Sequence, residues 1–76
     1  MVIKTKTDIF VLELKVDDTV ENALAQIDDK GYAIPYEADG RKVTKCGICI
    51  SSDARNIIHW RTVDADGGII DEQKFV

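Results

Sequence analysis

Apolar and polar side chains alternate along four segments of the chain, with the two-residue period of half-buried β-strands. The most apolar segment is 9–16, because all its even-numbered positions are apolar and Ile9 and Val11 also make the other face partly apolar. A strand that is apolar on both faces normally has neighbours on both sides. The pattern therefore predicts four strands, at 2–7, 9–16, 43–51 and 57–63.

Apolar residues then recur at helical spacing after the second strand, at positions 20, 23, 24, 27 and 31. Asp18 is the predicted N-cap, with Glu21 three residues later in a capping box. Residues 32–36 predict an irregular helical turn around Pro35, in which Tyr32 and Tyr36 are expected to pack. The predicted order of elements is β-β-α-β-β. This is an α+β fold with one main helix and a mixed or antiparallel sheet of about four strands. The first two strands are close enough in sequence to form a hairpin.

Length and charge limit the function classes. A chain of 76 residues is at most one small domain, and we divide it into residues 1–63 and an acidic tail, 64–76, which adds at most a short strand. The tail holds four acidic side chains and one basic side chain, so most of the net charge of −4 lies there. No apolar run is long enough for a membrane helix, and the N-terminus does not resemble a signal peptide. We expect a cytoplasmic protein.

Glu13 and Lys15 interrupt the most apolar strand and point to the same face. Residues two apart on a strand are separated by about 6.5–7 Å, so both side chains reach one site. A buried charge is costly unless it is paired or bound to a metal. Two interpretations follow: a weak surface ion pair at a strand end, or a functional site.

The surrounding residues resemble the PD-(D/E)XK nuclease superfamily, in particular a nuclease-like domain that follows an AAA-ATPase-like domain in many bacterial proteins. The resemblance runs from Ile9 to about Trp60. It rests on Glu-x-Lys within the apolar strand 10–15, followed by a helix that carries Gln26-Ile27-x-x-Lys30-x-Tyr32. It implies a restriction-endonuclease-like core.

The resemblance also implies a role for each matching residue. Glu13 would bind Mg²⁺ or Mn²⁺, because hard divalent cations prefer carboxylate oxygens. Lys15 would orient or activate the attacking water and stabilise charge on the phosphate. Gln26 would order the catalytic site or hold DNA from the helix flank, and Lys30 would also contact nucleic acid. The alternative for Gln26 and Lys30 is a solvated helix side.

One departure from the family pattern changes the expected activity. The pattern requires an Asp on the preceding strand, at a position that falls at or just before Met1, and Asp8 is too close to Glu13. We therefore expect a C-terminal portion of a nuclease-like domain, inactive alone, whose parent carries an AAA-ATPase-like domain upstream and acts on nucleic acid. The alternative is a non-catalytic binding or assembly module that retains the nuclease fold.

Three other motifs are weaker. Cys46 and Cys49 form a Cys-x-x-Cys, but residues three apart on a strand face opposite ways, which favours packing thiols over a redox or zinc site. His59 has no adjacent nucleophile and is interpreted as structural. Residues 64–68 lack the full pattern of a calcium loop.

Overall fold

A computed structural model describes residues 1–36 and 38–75 of the chain. These residues confirm the α+β class with one main helix and give the sheet a fifth strand, since residues 69–74 pair with the preceding strand. The elements are β1 (Val2–Lys4), β2 (Asp8–Val16), α1 (Val20–Asp29), a 3₁₀ turn (Ile34–Tyr36), β3 (Lys42–Ser51), β4 (Asn56–Asp64) and β5 (Ile69–Lys74).

The five strands lie in the sheet in chain order, β1 to β5. β1 and β2 form the predicted antiparallel hairpin, and β3, β4 and β5 form an antiparallel meander. β2 and β3 are parallel, so they require a crossover, which α1 provides. β2 has neighbours on both sides, as its two apolar faces predicted, and β3 is the middle strand. Within residues 1–36 and 38–75, no helix is long and apolar enough to cross a membrane.

The start of α1 differs from the prediction by one residue. The N-cap is Thr19, whose hydroxyl accepts a hydrogen bond from the backbone N–H of Asn22 at 3.1 Å. The Asp18 carboxylate accepts from the Thr19 backbone and the Asn22 side chain instead. The capping box with Glu21 was therefore wrong, because two adjacent residues were both good caps and the structure uses the second.

The helix packs closely on the middle strand at Gly47. A Cβ atom placed on Gly47 would lie 3.0 Å from the Val20 carbonyl oxygen and 3.1 Å from both the Ala23 Cβ and the Leu24 Cγ. The buried residues of α1 are Val20, Ala23 and Ile27. Ile27 belongs to the main core cluster, together with Ile9, Val11, Ala33 and Val43. The helix therefore covers the odd-numbered face of β2.

The opposite face of the sheet is more exposed. Leu14 and Val16 on β2 are 45% and 60% exposed, and Trp60 lies in the same cross-strand row as Leu14 and Ile48. No helix of the described residues lies on this face. Glu13 and Lys15 lie on the other side, beside α1, so their candidate site is bounded by the strand and the helix.

Candidate functional site

Glu13 and Lys15 are both half-buried on the helix-covered face of β2. The parallel register places Glu13 beside Gly47 and Lys15 beside Cys49 on β3. Because Gly47 has no side chain and Cys49 is buried, neither neighbour carries a charge next to these two residues. The shared face predicted from the alternation is confirmed.

Lys15 contacts Gln26 directly. The Lys15 ammonium donates a hydrogen bond to Gln26 Oε1 in a partly buried position. This contact fixes where the ammonium lies, since a flexible lysine side chain otherwise has many rotamers. Among the described residues no ion pair joins Lys15 to Glu13. The structure therefore brings together two predicted site residues from β2 and α1, without the surface ion pair considered as the alternative.

Lys30 lies in the same surface depression as Lys15 and Gln26. The depression has a volume of about 390 Å³, and its lining also includes Asp18, Asn22, Ala25 and Asp29. Lys30 is exposed and follows Gln26 by four residues, which places the two side chains on the same flank of α1. The two aspartates make the charge of this depression mixed rather than strongly basic.

Glu13 lines a second depression of about 450 Å³. Its lining includes Met1, Val2, Val11, Gly31, Tyr32, Pro35 and Tyr36. Within the described part of the chain, no hydrogen bond or ion pair engages the Glu13 carboxylate. A half-buried carboxylate without such a partner is available to bind a cation.

The hairpin register shows what lies opposite Glu13. Met1 exchanges backbone hydrogen bonds with Leu12, at 2.8 and 3.0 Å, so no described residue pairs with Glu13 from the β1 side. Asp8 is at the start of β2 on the opposite face, and its carboxylate accepts a 2.6 Å hydrogen bond from the Thr7 hydroxyl. Asp8 is therefore not a second carboxylate for a site at Glu13. This agrees with the sequence analysis, in which Asp8 is too close to Glu13 in the chain.

The described residues fit a divalent cation only in part. They contain no group of three or more His, Cys, Asp or Glu side chains arranged to hold a metal. Mg²⁺ is usually bound by one or two carboxylates together with water and substrate phosphates. Glu13 fits as a single carboxylate ligand, to which water and substrate phosphate would add further oxygen ligands.

The two cysteines lie on opposite faces of β3, as the strand alternation predicted. Both are free, with Cys49 buried and Cys46 half-buried. Burial raises the pKa of the Cys49 thiol, which makes it less reactive. Cys46 lies on the other face, where its sulfur accepts a hydrogen bond from the Thr62 hydroxyl at 3.5 Å.

His59 belongs to a polar cluster that the sequence did not reveal. Its Nε2 atom is 2.6 Å from Glu72 Oε2, and Arg61 donates to the same oxygen at 2.8 Å. Arg61 and Glu72 are direct cross-strand partners of β4 and β5. In the turn between these strands, the Asp64 carboxylate accepts from the backbone N–H groups of Asp66 and Gly68. The cluster and the turn both hold β5 in the sheet.

The Glu72 cluster predicts a loss of stability in acid. Hydrogen bonds from Arg61, and then from His59, lower the pKa of Glu72 from its ordinary value of 4.5. A carboxyl whose pKa is lower in the folded state stabilises the fold above its unfolded pKa, and that stabilisation disappears as the pH falls through the folded pKa. Thermal melts between pH 7 and pH values below 4.5 should show a smaller acid-induced drop for Glu72→Gln than for the wild type. The neighbouring change Asp71→Asn serves as the control, and an undiminished drop in Glu72→Gln would contradict the prediction.

Comparisons with known proteins bear on the family of the chain. No match was found among curated proteins or among solved structures. A family model described as the PD-(D/E)XK nuclease superfamily matches residues 1–60. The matched range contains Glu13, Lys15, Gln26 and Lys30, and it covers well over half of the 76 residues. The chain therefore belongs to the PD-(D/E)XK nuclease superfamily.

Proposed function

We propose that this chain carries the Glu-x-Lys half of a metal-dependent nuclease domain that acts on nucleic-acid phosphodiesters, with Mg²⁺ or Mn²⁺ as cofactor. The observation that carries the proposal is the hydrogen bond from Lys15 to Gln26, on the same strand face as the Glu13 carboxylate, which no described residue engages. A half-buried lysine held by an amide, two residues from a carboxylate, suits the binding of a negatively charged phosphate better than a structural role.

Each residue has a distinct task in this proposal. Glu13 offers a carboxylate oxygen to the cation, which when bound would offset negative charge on the phosphate. Lys15 brings its ammonium group next to the phosphate oxygens, where the positive charge stabilises the negative charge that develops during cleavage. Gln26 is a positioning residue, because it holds the Lys15 ammonium in place. Lys30 adds electrostatic attraction for the nucleic-acid backbone.

The proposal also states the activity expected of this chain alone and the parent protein expected to contain it. Because the described residues contain no group of three or more His, Cys, Asp or Glu side chains that could hold a metal, we expect this chain alone to bind metal weakly and not to cleave. We propose that the complete nuclease lies in a parent protein with an AAA-ATPase-like domain upstream, as the residues from Glu13 to Tyr32 suggest by resemblance.

A non-catalytic binding or assembly module is the second candidate. Asp18 and Asp29 on the rim of the Lys15 depression favour it, because they repel phosphate. So does the lack, among the described residues, of a group of three or more His, Cys, Asp or Glu side chains that could hold a metal. This candidate predicts that any binding of nucleic acid is independent of divalent cations.

Binding of a fluorescent oligonucleotide, followed by anisotropy in Mg²⁺ and in EDTA, separates the two candidates. The nuclease proposal predicts tighter binding in Mg²⁺, because Glu13 would hold the ion and the ion would offset negative charge on the phosphate, and predicts that Glu13→Gln removes the difference. Glu21→Gln is the matched control, since Glu21 lies on α1 and pairs with Arg61 rather than with Lys15. Equal affinity in Mg²⁺ and EDTA for the wild type would favour the non-catalytic module.

A further inference from the structure

The two tyrosines after α1 have different environments. Tyr36 is half-buried and packs against the main core cluster, and the Lys4 ammonium lies 5.1 Å from the centre of its ring. Tyr32 is 38% exposed and lies outside that cluster. Both rings line the depression that contains Glu13. The expectation that both tyrosines pack is confirmed for Tyr36, while Tyr32 leaves much of its ring open beside Glu13.

The backbone fixes the position of Tyr32. Gly31 has a φ of +65°, a conformation that favours glycine, and it ends the helix with a sharp turn. The Tyr32 N–H then donates to the Ile27 carbonyl at 3.1 Å, and the Gly31 N–H donates to the Asp28 carbonyl at 3.1 Å. The exposed Tyr32 ring therefore belongs to an ordered turn. Binding a ligand against this ring would cost little conformational entropy.

The Glu13 depression adjoins the Lys15 depression. Glu13 and Lys15 are two residues apart on one strand face, and Lys30 and Gly31 are consecutive at the end of α1. The two depressions therefore lie next to each other along the flank of the helix. The Lys15 depression presents the ammonium groups of Lys15 and Lys30, which attract phosphate. The Glu13 depression presents Tyr32 and Pro35, which are apolar surfaces suited to a flat base.

We propose that Tyr32 is a stacking platform for one unpaired base next to the phosphate held at Lys15, so that the substrate class is single-stranded nucleic acid or a frayed end. This inference rests on the proposed function and adds the substrate class. Bases within a duplex already stack on their neighbours and cannot offer a face to Tyr32 without being unpaired. Proteins that bind single strands without sequence preference usually combine exposed aromatic rings with basic side chains, and Tyr32 with Lys15 and Lys30 supplies both, although Asp18 and Asp29 reduce the net positive charge.

The test compares three probes at low salt: a single-stranded oligothymidylate, an abasic strand of the same length, and a duplex. The abasic strand keeps the phosphates and lacks the bases, so it isolates stacking from electrostatic attraction. Stacking is worth about 1–3 kcal/mol per base, which corresponds to roughly 5- to 160-fold tighter binding of the oligothymidylate than of the abasic strand. Tyr32→Ala should abolish that preference, and Tyr32→Phe should retain it.

Phe75→Ala is the matched control, since Phe75 is an exposed aromatic residue on the opposite face of the sheet, beside Trp60. A measurement on the wild type avoids dependence on variant folding: oligothymidylate should shift the Tyr32 ring and Gly31 amide NMR resonances more than the abasic strand does. Equal affinity for both strands, preference for the duplex, or a preference that survives Tyr32→Ala would overturn the proposal. If the wild type shows no base preference but does show Mg²⁺-dependent binding, stacking alone is refuted. If the wild type shows neither, the nuclease proposal is refuted as well.

Discussion

Replacing Gly47 by valine is expected to lower the free energy of unfolding by about 3 kcal/mol or more, because overpacking a close contact usually costs about 1–3 kcal/mol and this contact involves helix backbone. The first added carbon would lie 3.0 Å from the Val20 carbonyl oxygen and 3.1 Å from the Ala23 Cβ. Neither atom belongs to a flexible side chain, so α1 must lift from the sheet to make room. A chain of this size has a total stability of roughly 4–11 kcal/mol, so the loss is a large fraction.

Urea unfolding followed by circular dichroism measures this effect. Cys46→Val is the matched control, because it places the same side chain on the same strand, on the face that α1 does not cover. We expect the control to be far more stable than Gly47→Val. Equal midpoints for the two variants would show that α1 does not pack on β3 at Gly47. Since α1 carries Gln26 and Lys30, Gly47→Val should also weaken oligonucleotide binding.

Local patterns were sufficient to predict most of the fold. The alternation in β2 determined which face Glu13 and Lys15 share, and helical spacing determined which flank of α1 carries Gln26 and Lys30. The contact between Lys15 and Gln26 then follows from placing that helix over that strand. These features depend on periodicity, which is encoded within a few neighbouring residues.

Features that depend on distant partners were harder to predict. β5 contains only two apolar residues, Ile69 and Ile70, before charged positions, so the alternation was too short to distinguish a strand from a tail. Its pairing depends on Glu72 meeting His59 and Arg61, which no local pattern shows. The different environments of Tyr32 and Tyr36 depend on the left-handed turn at Gly31.

Changing Glu13 to glutamine is expected to remove the divalent-cation site while leaving the fold intact. The substitution keeps the shape of the side chain and removes its negative charge, and no hydrogen bond or ion pair to a described residue is lost. An amide oxygen is a much weaker partner for a hard divalent cation than a carboxylate. The loss of binding should therefore be close to complete, although the wild-type affinity is itself expected to be weak.

The most direct measurement is paramagnetic broadening of backbone amide signals during a titration with Mn²⁺. The nuclease proposal predicts that broadening is centred on Glu13 and extends to its cross-strand neighbour Gly47. It should disappear in Glu13→Gln and persist in Glu21→Gln. Broadening centred instead on the acidic turn at Asp64 and Asp66, unchanged in Glu13→Gln, would contradict the assignment of Glu13 as a metal ligand.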